Sequence, residues 1–211
     1  MNPSSAAVGP GLTGPGLYAR SRVLPAVVVT LVGTALAAAW AAHWLQEQPR
    51  FDHTARVTVV TLAPLFAAGT IGTCLYSCSH ELDRTAVRPW WPRRLAQLVG
   101  LTVLAAVLLA LSVPGHPEAF GAPAMVRNLL GTTGLAAASA VLLGARPSWL
   151  PVLVYMGTAY LSAPRAPGAA AEVWAWSLQR GPSSLAWVTA VALYVGGAAL
   201  YAGLGARAEG T

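Results

Sequence analysis

The chain has no lysine: all thirteen of its basic residues are arginine. A Walker A loop needs a lysine to reach the β- and γ-phosphates of a nucleotide, so the standard P-loop is excluded and any ATP-driven role requires a separate subunit. Charge of either sign is scarce, at 9% of the 211 residues, where a soluble domain carries roughly 25%. Only seven residues are Asp or Glu, and the apolar runs contain almost none. That argues against a proton-coupled carrier, whose relays use intramembrane carboxylates. No Gly-x-Ser-Gly is present, so the serine nucleophile of a six-span intramembrane protease is missing.

Cysteine is also sparse. Cys74 and Cys78, with His80, form the stretch CLYSCSH. The two thiols fall on one helical face, but a structural zinc site wants four protein ligands. The nearest fourth is Glu81 or Asp83, and no second pair follows. Thiols on adjacent turns are poorly placed for a disulfide. They read as small buried hydrophobes beside a polar helix end. No metal, no catalytic group and no cofactor held by this chain are expected.

What is present in quantity is apolar: 55% of the residues, with a mean hydropathy of +0.57. Several runs reach the roughly 20 residues that cross about 30 Å of hydrocarbon. The expected fold is an all-α, polytopic membrane helical bundle of about six transmembrane helices. They cover Val23–Leu45, Val57–Tyr76, Leu95–Val113, Ala124–Leu143, Trp149–Ser162 and Leu185–Leu204. The fifth is short and lies between Pro151 and Pro164. Residues 1–22 read as a flexible tail rich in Gly, Pro and Ser, 23–204 as the transmembrane domain, and 205–211 as a second short tail. The apolar run after Arg22 is too long for a cleaved signal peptide and reads as a retained span.

The net charge of +6 does not indicate nucleic acid, because the arginines sit at the ends of apolar runs and form no extended basic face. They fit membrane topology instead. With both termini cytoplasmic, Arg20, Arg22, Arg84, Arg88, Arg93, Arg94, Arg146 and Arg207 fall inside, and Arg50, Arg56, Arg127, Arg165 and Arg180 outside. Cytoplasmic loops carry the excess of Arg and Lys, so this orientation in the cell membrane is the expected one. His43 lies near the outer end of the first span beside Trp40 and Trp44, at interfacial depth. Small residues recur at Gly69 and Gly72, at Gly131, Gly134 and Ala138, and at Gly196, Ala199 and Gly203; such stripes let helices approach closely in lipid.

Two connections stand out. The outer segment 163–184 contains GAAAEVWAWSLQRG, long enough for about three helical turns, with Trp174 and Trp176 suited to the membrane interface. The inner connection 77–94 gathers Glu81, Asp83, Arg84, Arg88, Arg93 and Arg94 around Pro-Trp-Trp-Pro. Part of its charge serves topology. The mixed-sign turn Glu81 to Thr85 suits the groove of a cytoplasmic partner.

With these features the chain resembles the permease subunits of type-2 ABC exporters. Six spans, no nucleotide site, a charged turn between spans two and three and a helical outer segment between spans five and six match that family's plan. Glu81, Arg84, Thr85, Pro89, Arg93 and Arg94 follow its coupling-helix order; the Gly-Thr-x-Glu portion common in the family is absent. The resemblance implies a permease subunit that binds no ATP itself. A separate ABC-type ATPase would dock on the 77–94 loop through Glu81, Asp83, Arg84, Thr85 and Arg88, and a second permease subunit, identical or homologous, would complete the pathway. The reading left open beside it is an accessory or structural membrane protein without a pathway of its own.

Overall fold

The computed structural model describes residues 24–47, 56–75, 91–113, 120–162 and 169–207. All the regular structure among them is helical. In chain order the helices are α1 (Leu24–Glu47), α2 (Arg56–Cys74), α3 (Trp91–Ser112), α4 (Ala122–Leu143), α5 (Trp149–Ser162), α6 (Ala169–Trp174) and α7 (Ser184–Leu204). Single 3-10 turns cover Arg146–Ser148, before α5, and Trp176–Leu178, after α6.

Five of these helices, α1, α2, α3, α4 and α7, are long and apolar enough to cross a membrane. The fifth expected span, α5, has 14 residues, about 21 Å at 1.5 Å per residue. That falls short of about 30 Å of hydrocarbon.

Local chemistry sets the helix ends. Pro123 stands in the first turn of α4, where its missing N–H costs nothing. Gly144 closes that helix at φ 104° and donates its N–H to the Ala140 carbonyl, a conformation that favours glycine. Arg207 returns to the same place: its backbone N–H reaches the Ala140 carbonyl at 3.0 Å and its Nη1 the Leu142 carbonyl at 3.1 Å. These bonds cover carbonyls that the end of a helix leaves open. Ser183 caps α7 by accepting from the Ala186 N–H, while its hydroxyl donates to Glu172 Oε2 at 2.9 Å.

Cross-helix bonds fix the directions of the elements. Asn128 near the start of α4 bonds the Val60 carbonyl near the start of α2, and Tyr201 near the end of α7 reaches the Leu75 carbonyl at the end of α2. Helices α2, α4 and α7 therefore run parallel. Helix α3 runs against them, since Gln97 near its start donates to the Cys74 carbonyl and Arg94 lies over Gly205. Helix α5 also runs back, from Ser148 beside Gly72 to Ser162 beside Trp174. One end of the bundle thus collects Arg93, Arg94, Arg146 and Arg207, and the other carries the broken segment between α5 and α7.

Alanines fill much of the interior beside larger side chains such as Leu31, Ile71 and Leu98, while many large apolar residues face outward. Ala35, Ala67, Ala105, Ala136, Ala137 and Ala190 are buried, while Leu36 and Leu111 are 65% and 74% exposed. Water would penalise so much exposed apolar surface; hydrocarbon does not, and small residues are what close packing needs there. Helices α4 and α7 pack along most of their lengths. Gly134 and Gly197 bring their backbones together so closely that a Cβ on either would run into the other helix's main chain.

Candidate functional site

The docking residues expected from sequence, Glu81, Asp83, Arg84, Thr85 and Arg88, lie outside the described residues, as do Cys78 and His80. Cys74 is described: it is buried, and Gln97 Nε2 lies 3.4 Å from its carbonyl and 3.9 Å from its sulfur. Among the described residues no group of His, Cys, Asp and Glu is placed to hold a metal ion.

The most concentrated polar structure lies at the opposite end. Helix α2 contains Pro64, which has no N–H to offer the carbonyl four residues earlier. That carbonyl belongs to Val60, and Asn128 Nδ2 donates to it from α4 at 3.0 Å. The same amide nitrogen also donates to the Ser177 carbonyl at 2.7 Å. Thr132, one turn on, places its hydroxyl on the Asn128 carbonyl at 2.6 Å, with the Pro64 carbonyl at 3.4 Å.

Arg127 completes this node. Its Nη1 reaches the Arg180 carbonyl at 2.8 Å and its Nη2 the Gln179 carbonyl at 2.7 Å, while Nε and Nη2 both lie 3.2 Å from Asn128 Oδ1. The guanidinium is 0% exposed. A buried arginine is tolerable only with its donors satisfied, and here backbone carbonyls and one amide oxygen do it. Asn128 is held at both its amide groups.

The node anchors the segment that follows α5. Instead of the regular three-turn helix expected from sequence, α6 ends at Trp174, and Ala175 leaves the helical region at φ −106° and ψ 38°. The break turns Trp176 inward. Its ring lies on Gly131, where any side chain would collide with the indole, and it is 0% exposed. The expectation of an interfacial Trp176 is thereby corrected: carbonyls freed by the break are claimed by Arg127 and Asn128, which draws the chain into the bundle. Trp174 stays partly exposed, packs edge-on to Tyr155 at 5.4 Å and donates its Nε1 to Ser162 Oγ at 2.9 Å. Tyr155 donates its hydroxyl to the Trp174 carbonyl.

Chemically, the arrangement is a clamp. Arg127 has little donor capacity left for a ligand, and no nucleophile or carboxylate faces it in these bonds. It holds a non-helical stretch of backbone against the bundle by satisfying its carbonyls, the condition under which such backbone can lie between apolar helices. The sequence reading missed this node, since it counted Arg127 as an outer loop charge and passed over Asn128. The signal was available: an Arg-Asn pair followed by Leu-Leu-Gly-Thr-Thr-Gly inside an apolar run is an intramembrane polar site by default. His43, the other polar residue noted in a span, is exposed on α1.

No family model matches the chain, and neither the curated proteins nor the solved structures contain a significant match to it.

Proposed function

We propose that the chain is the permease subunit of an ATP-driven transporter of the type-2 ABC exporter kind, with both termini cytoplasmic in the cell membrane. The observation that carries the reading is the broken segment after α5, seated on Arg127 and Asn128. It falls where the resemblance calls for a re-entrant outer element, between a fifth traverse and the last. The alternating helix directions support it, because Leu75 and Trp91, the described residues that flank 76–90, lie at the end that carries Arg93, Arg94, Arg146 and Arg207.

On this reading an ATPase docks on the 77–94 loop through Glu81, Asp83, Arg84, Thr85 and Arg88. Its closure moves α2 against α3, while the α4–α7 pair and the clamped outer segment resist deformation. The Gly134–Gly197 contact closes α4 on α7 at that level; on this reading the pathway lies between two permease subunits. Affinity capture of the tagged chain from native membranes in mild detergent tests this. An ATPase subunit is expected in near-stoichiometric yield, and Arg84→Ala or Glu81→Ala should reduce it severalfold. Recovery of the chain with no ATPase under any mild condition would overturn the proposal and leave an accessory membrane protein.

A further inference from the structure

The two halves of α2 are held differently. Pro64 divides them: it offers no N–H to the Val60 carbonyl, and its ring crowds that oxygen. Toward the start of the helix, α4 supplies what is missing. Asn128 Nδ2 bonds the Val60 carbonyl at 3.0 Å, and the Thr132 hydroxyl lies 3.4 Å from the Pro64 carbonyl. Asn128 is fixed in turn by the Ser177 carbonyl and Arg127, so residues 56–64 are tied to the outer node.

Residues 65–74 meet the start of α5 through glycine. A Cβ on Gly69 would touch the Trp149 Cβ at 3.4 Å, and one on Gly72 would collide with Ser148 Oγ. At these two positions α2 presents no ridge that interlocks with its neighbour. Its tip is bonded at longer range: Gln97 Nε2 to the Cys74 carbonyl and the Tyr201 hydroxyl to the Leu75 carbonyl, both at 3.4 Å. Those bonds, with the fully buried Ile71, set the resting position of this half.

The proline also sets a direction. Opening the helix on the face that carries the ring relieves its crowding of the Val60 carbonyl, and Pro64 is buried. At about 100° per residue, Phe66 and Thr73 lie on the opposite side, and both are exposed. That side has room. Leu62, Phe66 and Thr70 line a groove of about 1350 Å³ whose far wall is α1, at Thr30, Gly33 and Ala37. A Cβ on Gly33 meets nothing within 4 Å. The half-helix 65–74 is about 15 Å long at 1.5 Å per residue, so a proline bend of about 20° carries its tip about 5 Å.

We propose that α2 is a lever hinged at Pro64: residues 56–64 stay fixed on α4, 65–74 swing toward the α1 groove, and Gln97 and Tyr201 latch the tip in its resting position. The chain enters the 76–90 connection directly after Leu75, so a pull there loads the latch first. The lever's use in transmission rests on the transport reading; the hinge itself does not, and its test needs no ATPase, so the two fail separately.

The test is double electron–electron resonance on the full chain with Cys74→Ser and Cys78→Ser, in phosphatidylcholine vesicles, diluted with unlabelled chain so that only pairs within one copy are read. Spin labels on Thr73→Cys and Leu204→Cys follow the tip of α2 against the end of α7; labels on Leu62→Cys and Val188→Cys follow the outer halves of the same helices. All four positions are exposed. The outer pair should give one narrow distance. The tip pair should give a second population, longer by up to about 5 Å. Tyr201→Phe should raise that population about fivefold, the weight of one neutral hydrogen bond. Pro64→Ala, which restores the helix bond, and Gly33→Phe, which fills the groove from α1, should each lower it severalfold. Absence of a second population in both the native chain and Tyr201→Phe, or one that either Pro64→Ala or Gly33→Phe leaves unchanged, would overturn the proposal.

Discussion

Asn128 serves two backbone carbonyls with one amide group, and only one of them exists because of a proline. Val60 would otherwise be bonded within α2 by residue 64, whose place Pro64 takes. Replacing Pro64 with Ala restores that N–H, so Asn128 loses half its purpose. We expect Asn128→Leu to cost less stability in a Pro64→Ala background than alone, with a coupling of about 1 kcal/mol in a double-mutant cycle of unfolding in detergent. Strict additivity would contradict the assignment. Arg127→Met removes the donors to Gln179 and Arg180 together and leaves these part-buried carbonyls without them, at an expected cost of about 2–4 kcal/mol. A thiol at position 177 reports the consequence. Ser177 is buried and its hydroxyl has no hydrogen-bond partner among the described residues, so Ser177→Cys is mild. In a Cys74→Ser, Cys78→Ser chain it should resist maleimide, and should label at least tenfold faster once Arg127 is Met. At this scale the sequence was half legible. Arg127 and Asn128 stand out as polar residues in an apolar run, but their partners are main-chain carbonyls some 50 residues away, which residue types do not reveal.

At the scale of elements the hydrophobic runs were legible to within a few residues. The expected Trp149–Ser162 coincides with α5, and Ala124–Leu143 and Leu185–Leu204 with α4 and α7 to within two residues. Apolar length and flanking Pro, Gly and Arg carry that information. The break at Ala175 was not legible, because Ala-Glu-Val-Trp-Ala-Trp-Ser-Leu has no helix breaker; tertiary bonds from α4 override its propensity. The stripes of small residues were visible, but not which member made contact. Gly197, not Gly196, meets Gly134, whereas Gly196 and Gly203 face open space. Gly134→Ala and Gly197→Ala should therefore force α4 and α7 apart, lowering the melting temperature by an amount equivalent to about 1–3 kcal/mol. Gly196→Ala should be neutral. No rotamer change relieves the first pair, because the obstacle is backbone.

For the whole molecule, five helices long and apolar enough to cross a membrane enclose a core of alanines, larger apolar side chains such as Leu31, Ile71, Leu98 and Leu129, and buried polar groups, while many further leucines and valines lie exposed outside. Of the six spans expected from sequence, five are long and apolar enough to cross a membrane, and the remaining one, α5, is a 14-residue helix that runs against α4 and α7. The helix directions put Arg146 and Arg207 on one side and Arg180 on the other. Single cysteines at 146 and 207 should label from the same face of sealed vesicles and one at 180 from the opposite face. Arg127, buried among carbonyls, is not a loop charge, so in the proposed orientation the inner excess of arginine is larger than the residue count alone gives.

The most direct measurement of the central claim, an ATPase acting on the 77–94 loop, is photo-crosslinking from position 84 in native membranes. A benzophenone side chain introduced there should join the chain to an ATPase subunit in high yield, and a non-hydrolysable ATP analogue should change that yield. Crosslinks that form only to lipid or to a second copy of the chain, with no ATPase among the products, would contradict the account.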